Sequence, residues 1–132
     1  MVLVDTSVWI DYLRGAKTKA VAKLDRILEA GEPFGITSVI FQEVLQGTDS
    51  EASFSRIEAY LGTQRFFQPA NDLSSYAEAA RLYAACRRKG ITIRSTIDCL
   101  IAQVALENEL AILHSDGDFD RLARVVPGLR IA

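Results

Sequence analysis

Short apolar runs alternating with helix-length stretches constrain this chain more than any single residue does. VLVD (2–5), Phe34–Ile36, Arg65–Phe67 and Leu110–Leu113 are too short for helices and read as strands, with Leu129–Ile131 as an expected edge strand. The stretches between them carry helical spacing and helix punctuation. Ser7 to Arg14 closes at Gly15, and Lys19 to Ala30 places Val21, Leu24, Ile27 and Leu28 on one arc before Gly31. Thr37 or Ser38 can cap a helix that runs to about Gln46, and Ser50–Leu61, Ser74–Lys89 and Ile97–Asn108 complete the helical set. Such alternation implies an α/β fold with a central, mainly parallel sheet covered on both faces. In that fold ligands collect outside the carboxyl ends of the strands, near a switch in strand order. The strand-to-helix junctions are therefore the places to look for chemistry.

A chain of 132 residues suits one domain with a core of useful size. Hydrophobic residues make up 49% and charged ones 24%, the balance of a globular rather than a disordered protein. No apolar run approaches the roughly 18 residues of a membrane span, and MVLVD opens directly as a strand without a secretory leader pattern. Cys86 and Cys99 match no metal or redox spacing and read as small buried apolar residues, so a cytoplasmic location is the expectation. Fifteen basic against seventeen acidic residues leave a net charge of −2, which argues against a long electrostatic footprint on nucleic acid. A short contact through a local patch stays open, with Arg87, Arg88 and Lys89 beside Arg94, or Arg121 with Arg124, as candidates.

The acidic residues carry the functional signal. HSDGDFD (114–120) sets Asp116, Asp118 and Asp120 at alternate positions directly after a strand. A calcium loop counted from Asp116 would need glycine at its sixth position and glutamate at its twelfth, where Arg121 and Pro127 stand. A solvated Asp-Gly turn remains the plain alternative for this segment alone. Asp5 ends the first strand, at the same end of a parallel sheet as Asp116, although it could simply cap the next helix. Glu43 falls on the apolar arc of its helix between Val39 and Ile40, where a carboxylate must be paired, protonated or metal-bound. Asp98 falls between Ala102 and Ala105 at a helix start, and Ser95-Thr96-Ile97-Asp98 also fits a capping box. Taken together, Asp5, Glu43, Asp98 and Asp116 form a cluster of hard oxygens suited to Mg²⁺ or Mn²⁺ rather than zinc. The sole histidine, His114, reads as a strand-end residue rather than a ligand.

In order along the chain, VDTSVWIDYL, FQEVLQG, TIDCLIAQVA and HSDGDFDRLA resemble the four acidic motifs of the PIN-domain ribonucleases. Within that family the chain is similar to the VapC toxins of bacterial toxin–antitoxin modules. The resemblance implies a PIN-like three-layer α/β/α domain spanning residues 1–132 and a metal-dependent endoribonuclease that hydrolyses RNA phosphodiester bonds. It carries Asp5, Glu43, Asp98 and Asp116 over as the catalytic acids. Asp5, Asp98 and Asp116 stand among the Mg²⁺ or Mn²⁺ ligands, with Asp118 as an auxiliary one. Thr6 and Ser115 correspond to polar neighbours that orient the acids, and Asp120 to a helix-start residue with Phe119 packing inward. Further implications are a transfer or ribosomal RNA substrate, a cognate VapB-type antitoxin that inserts a basic side chain toward the acids, and a homodimer formed around residues 37–61. The competing reading is a receiver-like, Mg²⁺-binding phosphoacceptor module. Such modules carry adjacent acids after the first strand and a lysine after the last, whereas here Asp5 precedes Thr6-Ser7 and the strand before Asp116 leads to no lysine.

Overall fold

A computed structural model describes every residue from Met1 to Ala132. The elements follow the order β1 (Val2–Val4), α1 (Thr6–Leu13), α2 (Lys19–Ala30), β2 (Phe34–Ile36), α3 (Ser38–Gln46), α4 (Glu51–Leu61), β3 (Arg65–Phe66), α5 (Ser74–Arg88), α6 (Thr96–Glu107), β4 (Ala111–Leu113), α7 (Gly117–Val125) and β5 (Arg130–Ile131). The five strands form one sheet in the order β3-β2-β1-β4-β5, and every pairing is parallel. A receiver-like module would instead run 2-1-3-4-5. The chain steps outward from β1 through β2 to β3, then returns to place β4 on the other side of β1. Right-handed crossovers therefore lay α1–α4 on one face and α5–α7 on the other. The switch in direction falls between β1 and β4, whose register sets Val4 opposite Leu113.

The central strands are apolar along their length because both faces of the sheet are covered. Leu3, Val4, Ile36, Ile112 and Leu113 are all buried, and Trp9, Leu24, Ile40 and Leu61 from the first helical layer join one core with Ile101, Ala102, Phe119 and Leu122 from the second. Cys86 and Cys99 are free and buried within this core, and burial pushes the Cys99 thiol up to about 12. No helix is long and apolar enough to cross a membrane.

Several boundaries follow local chemistry. Thr37, rather than Ser38, caps α3 by accepting from the Ile40 N–H at 3.0 Å. Gly31, at φ 65°, ends α2 in the left-handed conformation that glycine adopts without steric cost. One boundary departs from the sequence expectation. Asp120 does not start the last helix: α7 begins at Gly117 and is capped by Asp116, leaving Asp120 within its first turn. An Asp-Gly-Asp run reads locally as a turn, and only packing of Phe119 and Leu122 into the core fixes the earlier start.

Candidate metal centre

The carboxyl ends of β1 and β4 bring the acids together. The Asp5 N–H donates to the Leu113 carbonyl at 2.9 Å, so the first residue beyond β1 is fixed against the end of β4. Asp5 caps α1, and its Oδ2 accepts from both the Ser7 N–H at 3.0 Å and the Ser7 hydroxyl at 2.6 Å. That hydroxyl also accepts from the Ser115 N–H at 2.9 Å, joining two segments far apart in sequence through one oxygen. Ser115 thus acts through its backbone. Burial raises the Asp5 pKa against the lowering effect of Ser7, and Asp116 adds to the rise.

Asp116 sits at the start of α7 with its own supports. Its Oδ1 accepts from the Asp118 N–H at 3.0 Å, and its N–H donates to His114 Nδ1 at 3.0 Å. The His114 ring therefore carries its proton on Nε2, which lies 3.2 Å from Asp120 Oδ1. Both ring nitrogens are engaged in holding the loop, which leaves His114 a brace. Glu43 stands half-buried on α3, and Thr6 fixes it by donating from Oγ1 to Oε1 at 2.7 Å.

Asp98 differs from all of these. Ser95 caps α6, but it accepts from the Ile97 N–H at 3.2 Å, and Asp98 Oδ2 is buried with no hydrogen-bond partner. The capping-box alternative therefore does not account for Asp98. Burial first, then the charges of Asp5, Asp116, Asp118 and Glu43, push its pKa up to about 8. Two like charges about 4 Å apart at an effective dielectric of about 20 repel by roughly 4 kcal/mol. One carboxyl oxygen each from Asp98, Asp116 and Asp118 lies within 4.8 Å of the others. Asp5 stands outside that trio but close enough to act on both Asp98 and Asp116. An orphaned buried oxygen facing other hard oxygens fits a divalent cation, and no cysteine or histidine ligand competes for it.

Two arginines complete the arrangement. The Arg94 N–H donates to Asp118 Oδ2 at 3.0 Å, and its guanidinium reaches Asp116 Oδ1 at 3.2 Å and Asp118 Oδ2 at 3.5 Å. Arg121, one turn further along α7, pairs with Asp118 Oδ1. Asp118 is thus buried yet engaged on both oxygens. Sequence reasoning marks both arginines only as candidate RNA contacts and does not single out Ser7. The Asp118–Arg121 spacing of three residues is a usable signal; the reach of Arg94 has none.

A three-layer parallel α/β fold with a carboxylate cluster at its switch point is an arrangement compatible with a divalent cation at the strand ends. The chain belongs to the PIN domain family, whose model matches residues 2–125. It is similar to the VapC ribonuclease Mb1587 of Mycobacterium bovis and to ribonuclease VapC11 of Mycobacterium tuberculosis, in each case 33% identical over 126 residues, with 95% of this chain and 93% of the relative covered. Its fold is similar to that of VapBC2 from Rickettsia felis bound to a promoter DNA fragment, with TM-score 0.74, 15% identity and coverage of 100% of this chain and 98% of that one. DNA-bound VapBC from Salmonella typhimurium gives TM-score 0.71 at 21% identity, with the same coverage. At these identities the structural likeness is one of fold.

Proposed function

We propose that this chain is a VapC-type toxin, a metal-dependent endoribonuclease that hydrolyses RNA phosphodiester bonds and is neutralised by a cognate VapB-type antitoxin. The observation that carries the reading is the orphaned Asp98 Oδ2, buried among the carboxylates of Asp5, Asp116 and Asp118. Family membership and the 33% identity to VapC ribonucleases support the choice of RNA as substrate, with transfer or ribosomal RNA the class expected.

Asp98 and Asp116 would hold Mg²⁺ or Mn²⁺, with Asp118 as auxiliary ligand and Asp5 beside them. Held by these residues, a divalent ion would supply a more acidic water and charge stabilisation for the phosphate. The remaining work falls to the chain. Ser7 keeps Asp5 aimed into the cluster, and His114 with the α7 cap keeps Asp116 there. Glu43 is the acid suited to accept a proton from the attacking water, because Thr6 binds Oε1 and the side chain is only partly buried. The Ser115 N–H, bonded to the Ser7 hydroxyl, ties the loop before α7 to the start of α1 beside Asp5.

The antitoxin is expected to present a cationic side chain to the same acids, competing with both ion and RNA. A homodimer in the cytoplasm completes the reading, with apolar surface around residues 37–61 as its expected interface. The test is incubation of the purified chain with a structured RNA pool in Mg²⁺ or Mn²⁺. Cleavage should appear, stop with EDTA, and be lost in Asp98→Asn and Asp5→Asn. Cleavage that persists in both variants would place the chemistry elsewhere.

A further inference from the structure

We propose that Arg94 is a phosphate-binding residue of this site, anchored beside Asp116 and Asp118 where it competes with a divalent ion for Asp116 and reaches the RNA backbone. This role rests on the nuclease reading and deepens it.

The backbone of Arg94 is fixed, because its N–H binds buried Asp118, Ile93 before it is in the core, and Ser95 after it caps α6. Its side chain is 73% exposed even while touching two carboxylates. Ion pairs that exposed contribute little to folding, so stability does not account for a cation at this spot. Arg121 is the contrast. It is 43% exposed, pairs with Asp118 within one helix, and forms the fixed counter-charge of that acid. Arg94 reaches across from another segment, and the Asp116 it touches belongs to the acid trio.

Charge decides where the guanidinium goes. The acids that attract it also attract a divalent ion, so the two compete for Asp116. An ion at Asp116 would repel the guanidinium toward solvent, while the bond from the Arg94 N–H to Asp118 would keep it beside the acids. A phosphodiester held at the acids would lie beside that guanidinium, whose planar fork can bind two non-bridging oxygens at once. The other basic candidates lack this placement: Arg87 and Arg88 lie exposed in the last turn of α5, and Lys89 comes directly after them.

The test compares Arg94→Gln and Arg94→Lys with the unaltered protein and with Lys23→Gln, an exposed residue of α2, as a surface control. Mn²⁺ binding without RNA is read from the loss of the free-ion paramagnetic signal, and RNA cleavage is resolved into KM and kcat across a salt series. Arg94→Gln should bind Mn²⁺ more tightly, raise KM about tenfold, and make the dependence of log KM on log salt shallower by about 0.7. Arg94→Lys should recover the salt slope, and Lys23→Gln should change none of these. Tighter Mn²⁺ binding with an unchanged KM makes Arg94 only a competitor for the ion and overturns its phosphate role. Unchanged Mn²⁺ affinity together with an unchanged salt slope, in a protein that cleaves, overturns the inference while leaving the nuclease reading intact. A wild-type chain that cleaves no RNA in Mn²⁺ overturns the nuclease reading and this role with it.

Discussion

The starts of α6 and α7 each bring a buried aspartate to the same small space, and their surroundings are opposite. At the start of α6, Asp98 Oδ2 has no partner, and burial with neighbouring carboxylates pushes the group up to about 8. At the start of α7, Asp118 is only 1% exposed, yet the Arg94 backbone and guanidinium meet one of its oxygens and Arg121 the other. The contrast separates two jobs that composition cannot distinguish. Asp118 is a paired acid, held by the Arg94 backbone N–H and by Arg121, and it fixes the geometry of the loop. Asp98 is an uncompensated one, and a cation from solution is what would complete it.

Substituting the two residues is the sharpest way to break this comparison. Asp98→Asn should lower RNA cleavage by on the order of 10³-fold, while raising the melting temperature in EDTA at pH 8 because it removes an unpaired buried charge. Asp118→Asn should lower the melting temperature, since it removes the counter-charge of Arg121 and weakens the acceptor of the Arg94 N–H. The loss should be roughly 1–3 kcal/mol, below that of a fully buried pair because both arginines are partly exposed. Thermal melts of both variants in EDTA would contradict the contrast if the two shifts had the same sign.

Next in size is the pH dependence of the cation-free protein. The folded pKa of Asp98 lies near 8, above the ordinary 3.8. Between those values the folded state keeps a proton that the unfolded chain has released, so stability falls as pH rises through that window. Asp5, also raised by burial, acts in the same direction. In EDTA the melting temperature should drop by about 5 °C or more from pH 5 to pH 9, and Mn²⁺ should reverse most of the drop. A melting temperature that climbs over that range would remove the basis for an uncompensated Asp98.

A smaller effect is expected at Ser7, whose hydroxyl links Asp5 to the Ser115 N–H. Ser7→Ala should weaken Mn²⁺ binding or cleavage roughly 10–100-fold, at about 1 kcal/mol of stability. Unaltered binding and cleavage would mean that Asp5 holds its position without this bridge. The smallest effect probes how dry the α6 start is. Burial first, then Cys86, Asp98 and Asp118, raise the Cys99 thiol to about 12, so iodoacetamide should leave it unmodified in the folded protein at pH 8. Rapid labelling would indicate a wetter, less strained setting for its neighbour Asp98.

Much of the fold and the acid cluster is legible in the sequence, because the relevant signals are local. Strand length, glycine stops and helical spacing place β1 through β4 and α1 through α6 within a residue or two of their observed ends. The strand-end rule brings Asp5 and Asp116 to one place, and helical phase turns Glu43 and Asp98 inward. The shortfalls share a cause in partners distant along the chain. The cap of α7 falls at Asp116 because Phe119 and Leu122 bury into a core assembled from other elements. Ser7 serves a loop more than a hundred residues away. Arg94 crosses to α7 on a long, rotatable side chain whose direction no periodicity sets.

Mn²⁺ affinity at neutral pH, compared between the unaltered protein and Asp98→Asn, tests the central claim most directly. Saturable binding weakened at least about tenfold in Asp98→Asn is the expected result. Equal affinity in the two proteins, or no binding by either, would contradict a site in which the orphaned carboxylate of Asp98 awaits a divalent ion.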